Sequence, residues 1–189
     1  MGVVGTLLKN RRAGEAKLAW SLPNLSAPET LTLTSDAFGD GEAIPAKHAG
    51  KRAGGRNLSP QLAWSAPPAG TAELLLVVED ADAPMPRPFV HCVALIEPQV
   101  RELPSGALAA RSPAAGVRVL RSGMGRGYLG PEPIKGHGPH RYTFQLFALA
   151  TAAAADGGAA AEQARPRALL SAVSGPVLAK GRLTGVYER

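Results

Sequence analysis

The stretch E73-L-L-L-V-V-E-D-A-D-A-P-M-P-R-P-F-V-H-C-V-A-L-I96 decides the fold. Its two ends, Glu73–Glu79 and Phe89–Ile96, are nearly continuous in Leu, Val and Ile, which suits strands buried on both faces. Between them lie two aspartates, three prolines and, just inside the second run, a histidine. Asp80 and Asp82 are two apart and share a face of an extended segment. Pro84, Pro86 and Pro88 end the first strand and stiffen the connection. Polar groups are thus confined to strand ends, where they can meet at one mouth without disturbing a core.

A third long apolar run, His140–Leu149, has two alternating sets of large residues and opens on a histidine. It follows a glycine- and proline-rich stretch from Gly123 to Pro139. Thr30–Ser35 alternates polar and apolar residues, as a half-buried strand does. Residues 47–57 read as a loop, and Pro60 delays the strand that ends at Trp64, a core residue. Val3, Val4, Leu7 and Leu8 fit a short amphipathic helix over 3–13, stopped by Gly14. Residues 150–163 read as an Ala/Gly-rich flexible connector. Arg167–Lys180 reads as a helix that Pro176 kinks, followed by a short closing strand. The order predicts a mainly β, antiparallel architecture, with residues 1–29 as a helical extension and 30–189 as one domain.

Composition narrows the function. The 189 residues suffice for one domain with a real core, and 45% are hydrophobic. The net charge of +6 is interleaved with acids, and only 5% of residues are aromatic. Neither a basic patch nor a base-stacking platform is present, so nucleic acid is a poor partner. Cys92 is the sole cysteine, which rules out an intramolecular disulfide and a multi-cysteine zinc site. The first apolar run precedes its basic residues, the reverse of a signal peptide's order, and no run approaches membrane-spanning length. A cytoplasmic location is expected.

The motifs DADAP, FVHC, GYLGPEPIKGHGPHRYTFQLFAL and NLSPQLAW, in that chemistry and arrangement, resemble the phosphatidylethanolamine-binding protein, or Raf kinase inhibitor-like, family, in its bacterial branch. The resemblance runs from about Leu31 to the C-terminus. It implies a Greek-key β-sandwich with short peripheral helices and a shallow anion pocket. By position, that pocket would be walled by Asp80, Asp82, His91, Pro133 and His140, with Tyr128, Gly130 and Pro131 nearby. Ala81, Cys92, Glu132 and Ile134 depart from the family pattern.

The resemblance implies a binding protein for a small anionic or phosphate-bearing ligand or a phospholipid headgroup. It also implies a possible regulatory role on a kinase or other enzyme, and a possible homodimer. No cofactor is expected. Imidazoles donate hydrogen bonds to phosphate oxygens, and a carboxylate such as Asp80 orients or charges one of them. The alternative is a small hydrolase with His91 or His140 as base. Its obvious nucleophile, Cys92, is expected to face away from His91 by strand alternation, and Ser59 lies in a proline-bound turn. A metal site of His and Asp residues is chemically allowed, but the spacing lacks a compact ligand pair. Arg141 is expected to be an ion-pair partner, and His48 and His137 to be exposed.

Overall fold

A computed structural model describes residues 3–153 and 158–189. The three apolar runs form its centre: β3 (Glu73–Asp80), β4 (Phe89–Ile96) and β7 (His140–Leu149). With β6 (Val117–Val119) and β8 (Val177–Tyr187) they make a five-stranded antiparallel sheet in the order β6-β4-β3-β7-β8. Three short strands, β1 (Leu33–Thr34), β2 (Leu62–Trp64) and β5 (Glu102–Leu103), form a second sheet in the order β1-β2-β5. Leu33, Leu62, Trp64 and Leu103 from the small sheet share one core cluster with Leu74, Leu76, Phe144 and Leu146 of the large one. The architecture is therefore a mainly β, antiparallel sandwich, as the three runs imply.

The large sheet is buried on its other face as well. Leu75, Val77, Val93, Leu95 and Phe147 pack there against Ala19 and Leu25 and against Leu169 and Leu170 of α3 (Pro166–Ala172). This double burial is why β3 and β4 are continuous in apolar residues rather than alternating.

Several local expectations are corrected. Helix α1 covers only Val3–Leu8, and Val3 and Leu7 are 72% and 79% exposed. The rest of the segment to residue 29 is no separate helical extension. Residues 15–25 form three successive 3-10 turns that roof the second core. The helix expected to reach Lys180 ends at Ala172. Pro176 supplies no N–H, and Val177 instead begins the eleven-residue strand β8 along the edge of β7. The strand expected over Thr30–Ser35 is ladder-paired only at Leu33–Thr34, although the alternation of buried Leu31 and Leu33 with exposed Thr32 and Thr34 holds. Of the connector expected at 150–163, residues 154–157 lie outside the described residues, and Gly158–Gln163 form helix α2.

Candidate ligand pocket

One irregularity in the large sheet builds the site. Val78 pairs with Cys92 and Glu79 with Val90, so His91 is an extra, unpaired residue in β4. Such a bulge re-aims a side chain at a strand end. His91 stacks edge-on to Phe89 and to Tyr142, with ring centroids 4.9 and 5.0 Å away. The bulge also cancels the alternation expected of its neighbour. Cys92 does not turn to the opposite face but joins the core cluster that holds Tyr128 and Tyr142. It is fully buried and outside the pocket wall, and burial pushes its thiol up to about 12. A thiol held neutral in this way is no nucleophile.

The pocket is an open cavity of about 380 Å³. Asp80, His91, His140 and Tyr142 contribute to its polar wall, and Gly130 and Pro133 to one side. Met85, Phe89, Met124 and Ile134 give it an apolar wall; Met124 is 63% exposed. Arg52 and Glu132 complete the wall and are exposed to solvent. Of the residues expected at the site, Asp80, His91, Gly130, Pro133 and His140 are thus brought together. Asp82, Tyr128 and Pro131 are buried but lie outside the wall.

Asp82 is occupied elsewhere. It accepts from the backbone N–H of Arg141 at 2.8 Å, from Arg141 Nε and Nη2 at 2.8 and 2.7 Å, and from Arg12 Nη1 at 2.8 Å. Burial alone would raise its pKa, but the hydrogen bonds from Arg141 and Arg12 prevail and hold the carboxyl at about 2. Arg141 is the ion-pair partner its sequence context suggests, and it also pairs with Glu15. Ala81, where the family pattern has proline, donates its N–H to the Arg141 carbonyl at 3.3 Å, a bond proline could not make.

Tyr128 serves the loop rather than the cavity. Its hydroxyl donates to the His48 carbonyl at 3.2 Å. Asn57, a non-glycine residue with φ 57°, clamps the same segment. Its Oδ1 accepts from Gly130 N–H at 2.7 Å and its Nδ2 donates to the Tyr128 carbonyl at 3.1 Å. Gly130 has no room for a side chain, since a Cβ would lie 2.3 Å from the His48 carbonyl oxygen. Glu132 accepts from the backbone N–H of Arg52 at 2.9 Å, which spends one oxygen on the 50–53 turn.

Hydrogen-bond bookkeeping at the rings decides what the pocket can offer. His91 Nδ1 faces the Leu129 carbonyl at 2.6 Å and must donate to it, leaving Nε2 without a hydrogen while the ring is neutral. Burial lowers the His91 pKa below the ordinary histidine value, although Asp80 works in the other direction. His140 has both nitrogens engaged, Nδ1 by Asp80 Oδ2 and Nε2 by His137 Nδ1, each at 2.7 Å. It offers no ring hydrogen to the cavity, contrary to the role expected of it as an anion donor. Tyr142, in contrast, lines the cavity, and its hydroxyl is buried and has no hydrogen-bond partner among the described residues. Burial also raises its pKa, so it stays a neutral O–H donor.

His48 and His137, expected to be exposed, are both 0% exposed. The Gly-flanked setting of His137 hid a tertiary role, and only its spacing of three from His140 hinted at one. Neither Arg52 nor Tyr142 carries a local sequence signal for the pocket.

This is an antiparallel β-sandwich with an open cavity at the ends of its central strands. The chain belongs to the phosphatidylethanolamine-binding protein family, whose model matches residues 34–188. It is 41% identical over 163 residues to LppC of Mycobacterium tuberculosis, named as a lipoprotein, covering 86% of this chain and 74% of that protein. It is 35% identical over 158 residues to UPF0098 protein PH1269 of Pyrococcus horikoshii, covering 82% and 75%. Among solved structures, Escherichia coli YbcL, described as a new member of the mammalian family, superposes with a TM-score of 0.69 at 29% identity, over 84% of this chain and 98% of that one. The Chlamydia trachomatis homologue CT736 gives 0.69 at 30%, over 84% and 97%.

Proposed function

We propose that this protein is a binding module for a small ligand with an anionic head and an apolar body, such as a phosphate ester or phospholipid headgroup. The observation that carries this reading is Tyr142, whose buried hydroxyl has no hydrogen-bond partner among the described residues, in the wall of a cavity that His91 and Arg52 also line. An anion there would accept from Tyr142, from Arg52 and from a protonated His91, all charge-assisted because the acceptor is ionised. Met85, Met124 and Ile134 would cover the apolar part of the ligand. Burial disfavours the His91 charge in the free protein, so an anion would draw a proton onto Nε2 as it binds.

The hydrolase reading finds less support. His140 has no nitrogen left to act as base, and Cys92 is neutral and outside the wall. Modulation of another enzyme remains a proposal that follows from ligand binding: an occupied and an empty rim would present different surfaces to a partner. Calorimetry with glycerophosphoethanolamine and with inorganic phosphate tests the binding reading. Saturable heat that Tyr142→Phe and Arg52→Ala each reduce supports it; no binding of either compound at millimolar concentration refutes it.

A further inference from the structure

From the pocket wall inward, Asp80, His140, His137 and two backbone carbonyls form one hydrogen-bonded line. Asp80 Oδ2 meets His140 Nδ1 at 2.7 Å, and His140 Nε2 meets His137 Nδ1 at 2.7 Å. His137 Nε2 then meets the Leu8 carbonyl at 2.8 Å and the Arg11 carbonyl at 3.2 Å. Both histidines are essentially without solvent contact.

The N-terminal arm is fastened at this place by independent bonds. Ala13 and Gly14 donate their N–H groups to the carbonyls of Ala83 and Ala81 at 3.0 and 2.9 Å. Arg12 donates to the Pro139 carbonyl at 3.0 Å and pairs with Asp82. Gly5 lies so close to residues 135–137 that a Cβ would sit 2.3 Å from the Lys135 carbonyl oxygen. The carbonyls that face His137 are therefore fixed parts of the site.

The line has three successive hydrogen bonds between a carbonyl end and a carboxylate end, and each bond needs one hydrogen. A carbonyl only accepts, so His137 Nε2 must carry a hydrogen. The bond between the rings needs a second, and the bond to Asp80 a third. Two neutral imidazoles supply two hydrogens; the line needs three. Imidazole is a stronger base than carboxylate by about 2.6 pH units in water. Asp80 Oδ1 also accepts the Asp82 N–H at 2.8 Å. The third hydrogen accordingly belongs to the rings.

We infer that His137 and His140 are a buried histidine pair sharing one extra proton, held between the Asp80 carboxylate and the N-terminal arm's carbonyls. His137 is thus a positioning residue that fixes the hydrogens of His140. The pair's single positive charge cancels the charge of Asp80, so an anion entering the cavity meets a floor with no net negative charge. Among the described residues, the charged and titratable groups around the pair are Asp80, the Asp82–Arg12–Arg141 cluster beside it, His91 and the Tyr142 hydroxyl. The inference stands on ligand-free geometry and does not depend on what the pocket binds.

The test is nitrogen NMR of the ligand-free, full-length protein with ring-labelled histidines at pH 7. Three of the pair's four ring nitrogens should carry hydrogen, with a scalar coupling across the bond between His137 Nδ1 and His140 Nε2. In His137→Gln the amide can replace both contacts, donating to the Leu8 carbonyl and accepting from His140. His140 alone should then carry two hydrogens. Only two ring hydrogens on the wild-type pair, or no coupling between the rings, would overturn the inference. So would a folded His137→Gln protein in which His140 carries a single ring hydrogen.

Discussion

Replacing Asp82 with asparagine removes a buried charge that lies outside the pocket wall, and its cost follows from the geometry. Asp82 accepts four hydrogen bonds, three of them from the guanidiniums of Arg12 and Arg141. Holding a carboxyl at about 2 rather than near 3.9 corresponds to roughly 2.5 kcal/mol of folding stability at neutral pH. Arg12 and Arg141 are partly exposed, so solvent screening trims this to about 2 kcal/mol. For a chain of this size that lowers the melting temperature by about 4–8 °C.

The pH dependence has a definite sign. A depressed carboxyl stabilises the fold above its unfolded pKa, and that stability is lost as pH falls through the folded value. The difference between wild type and Asp82→Asn should therefore be full at pH 5 and above and shrink between about pH 4 and 2. Thermal or urea unfolding of both proteins from pH 7 to pH 3 measures it. Equal stability at pH 7, or a difference that grows as pH falls from 5 to 3, would refute the reasoning.

Three further outcomes are expected. Tyr142→Phe removes a hydroxyl with no partner among the described residues, so stability should hold or rise slightly while phosphate affinity falls about twofold to tenfold, read by calorimetry. Sulfate keeps its charge from pH 8 to pH 5, so its affinity should rise as pH falls through the range where His91 takes up a proton. Titration calorimetry should find that rise abolished in His91→Gln. Arg167→Met leaves Glu79, which is 0% exposed and otherwise held by the Ala19 N–H and Gln145, without its ion-pair partner. The loss should be about 3 kcal/mol in urea unfolding, and Glu79→Gln in the same chain should restore part of it.

The long strands were legible because a sheet buried on both faces leaves a continuous apolar record. Glu73–Glu79, Phe89–Ile96 and His140–Leu149 could hardly be anything else, and the polar residues at their ends located Asp80, His91 and His140. The bulge at His91 left no such record, because one extra residue changes which face Cys92 takes without changing composition. Asp82 looked like a twin of Asp80 by spacing, yet distant Arg12 and nearby Arg141 claim it. His137 was hidden for the same reason: its partners at Leu8 and Arg11 are backbone carbonyls far away in sequence, which no side-chain pattern marks. The tract 176–180 was misread as helix because Val177 and Leu178 continue a helical spacing, whereas Pro176 resets the backbone.

The central claim is that the cavity at the ends of β3, β4 and β7 receives an anionic head on Tyr142, His91 and Arg52. The most direct measurement is a crystal structure of the protein with a bound phosphate ester such as O-phosphoethanolamine. The phosphate should accept from the Tyr142 hydroxyl, from His91 Nε2 and from the Arg52 guanidinium, while the Asp80–His140–His137 line stays intact. A phosphate bound instead through His140 Nε2, with the His137 bond broken, or one bound elsewhere while the cavity holds only water, would contradict it.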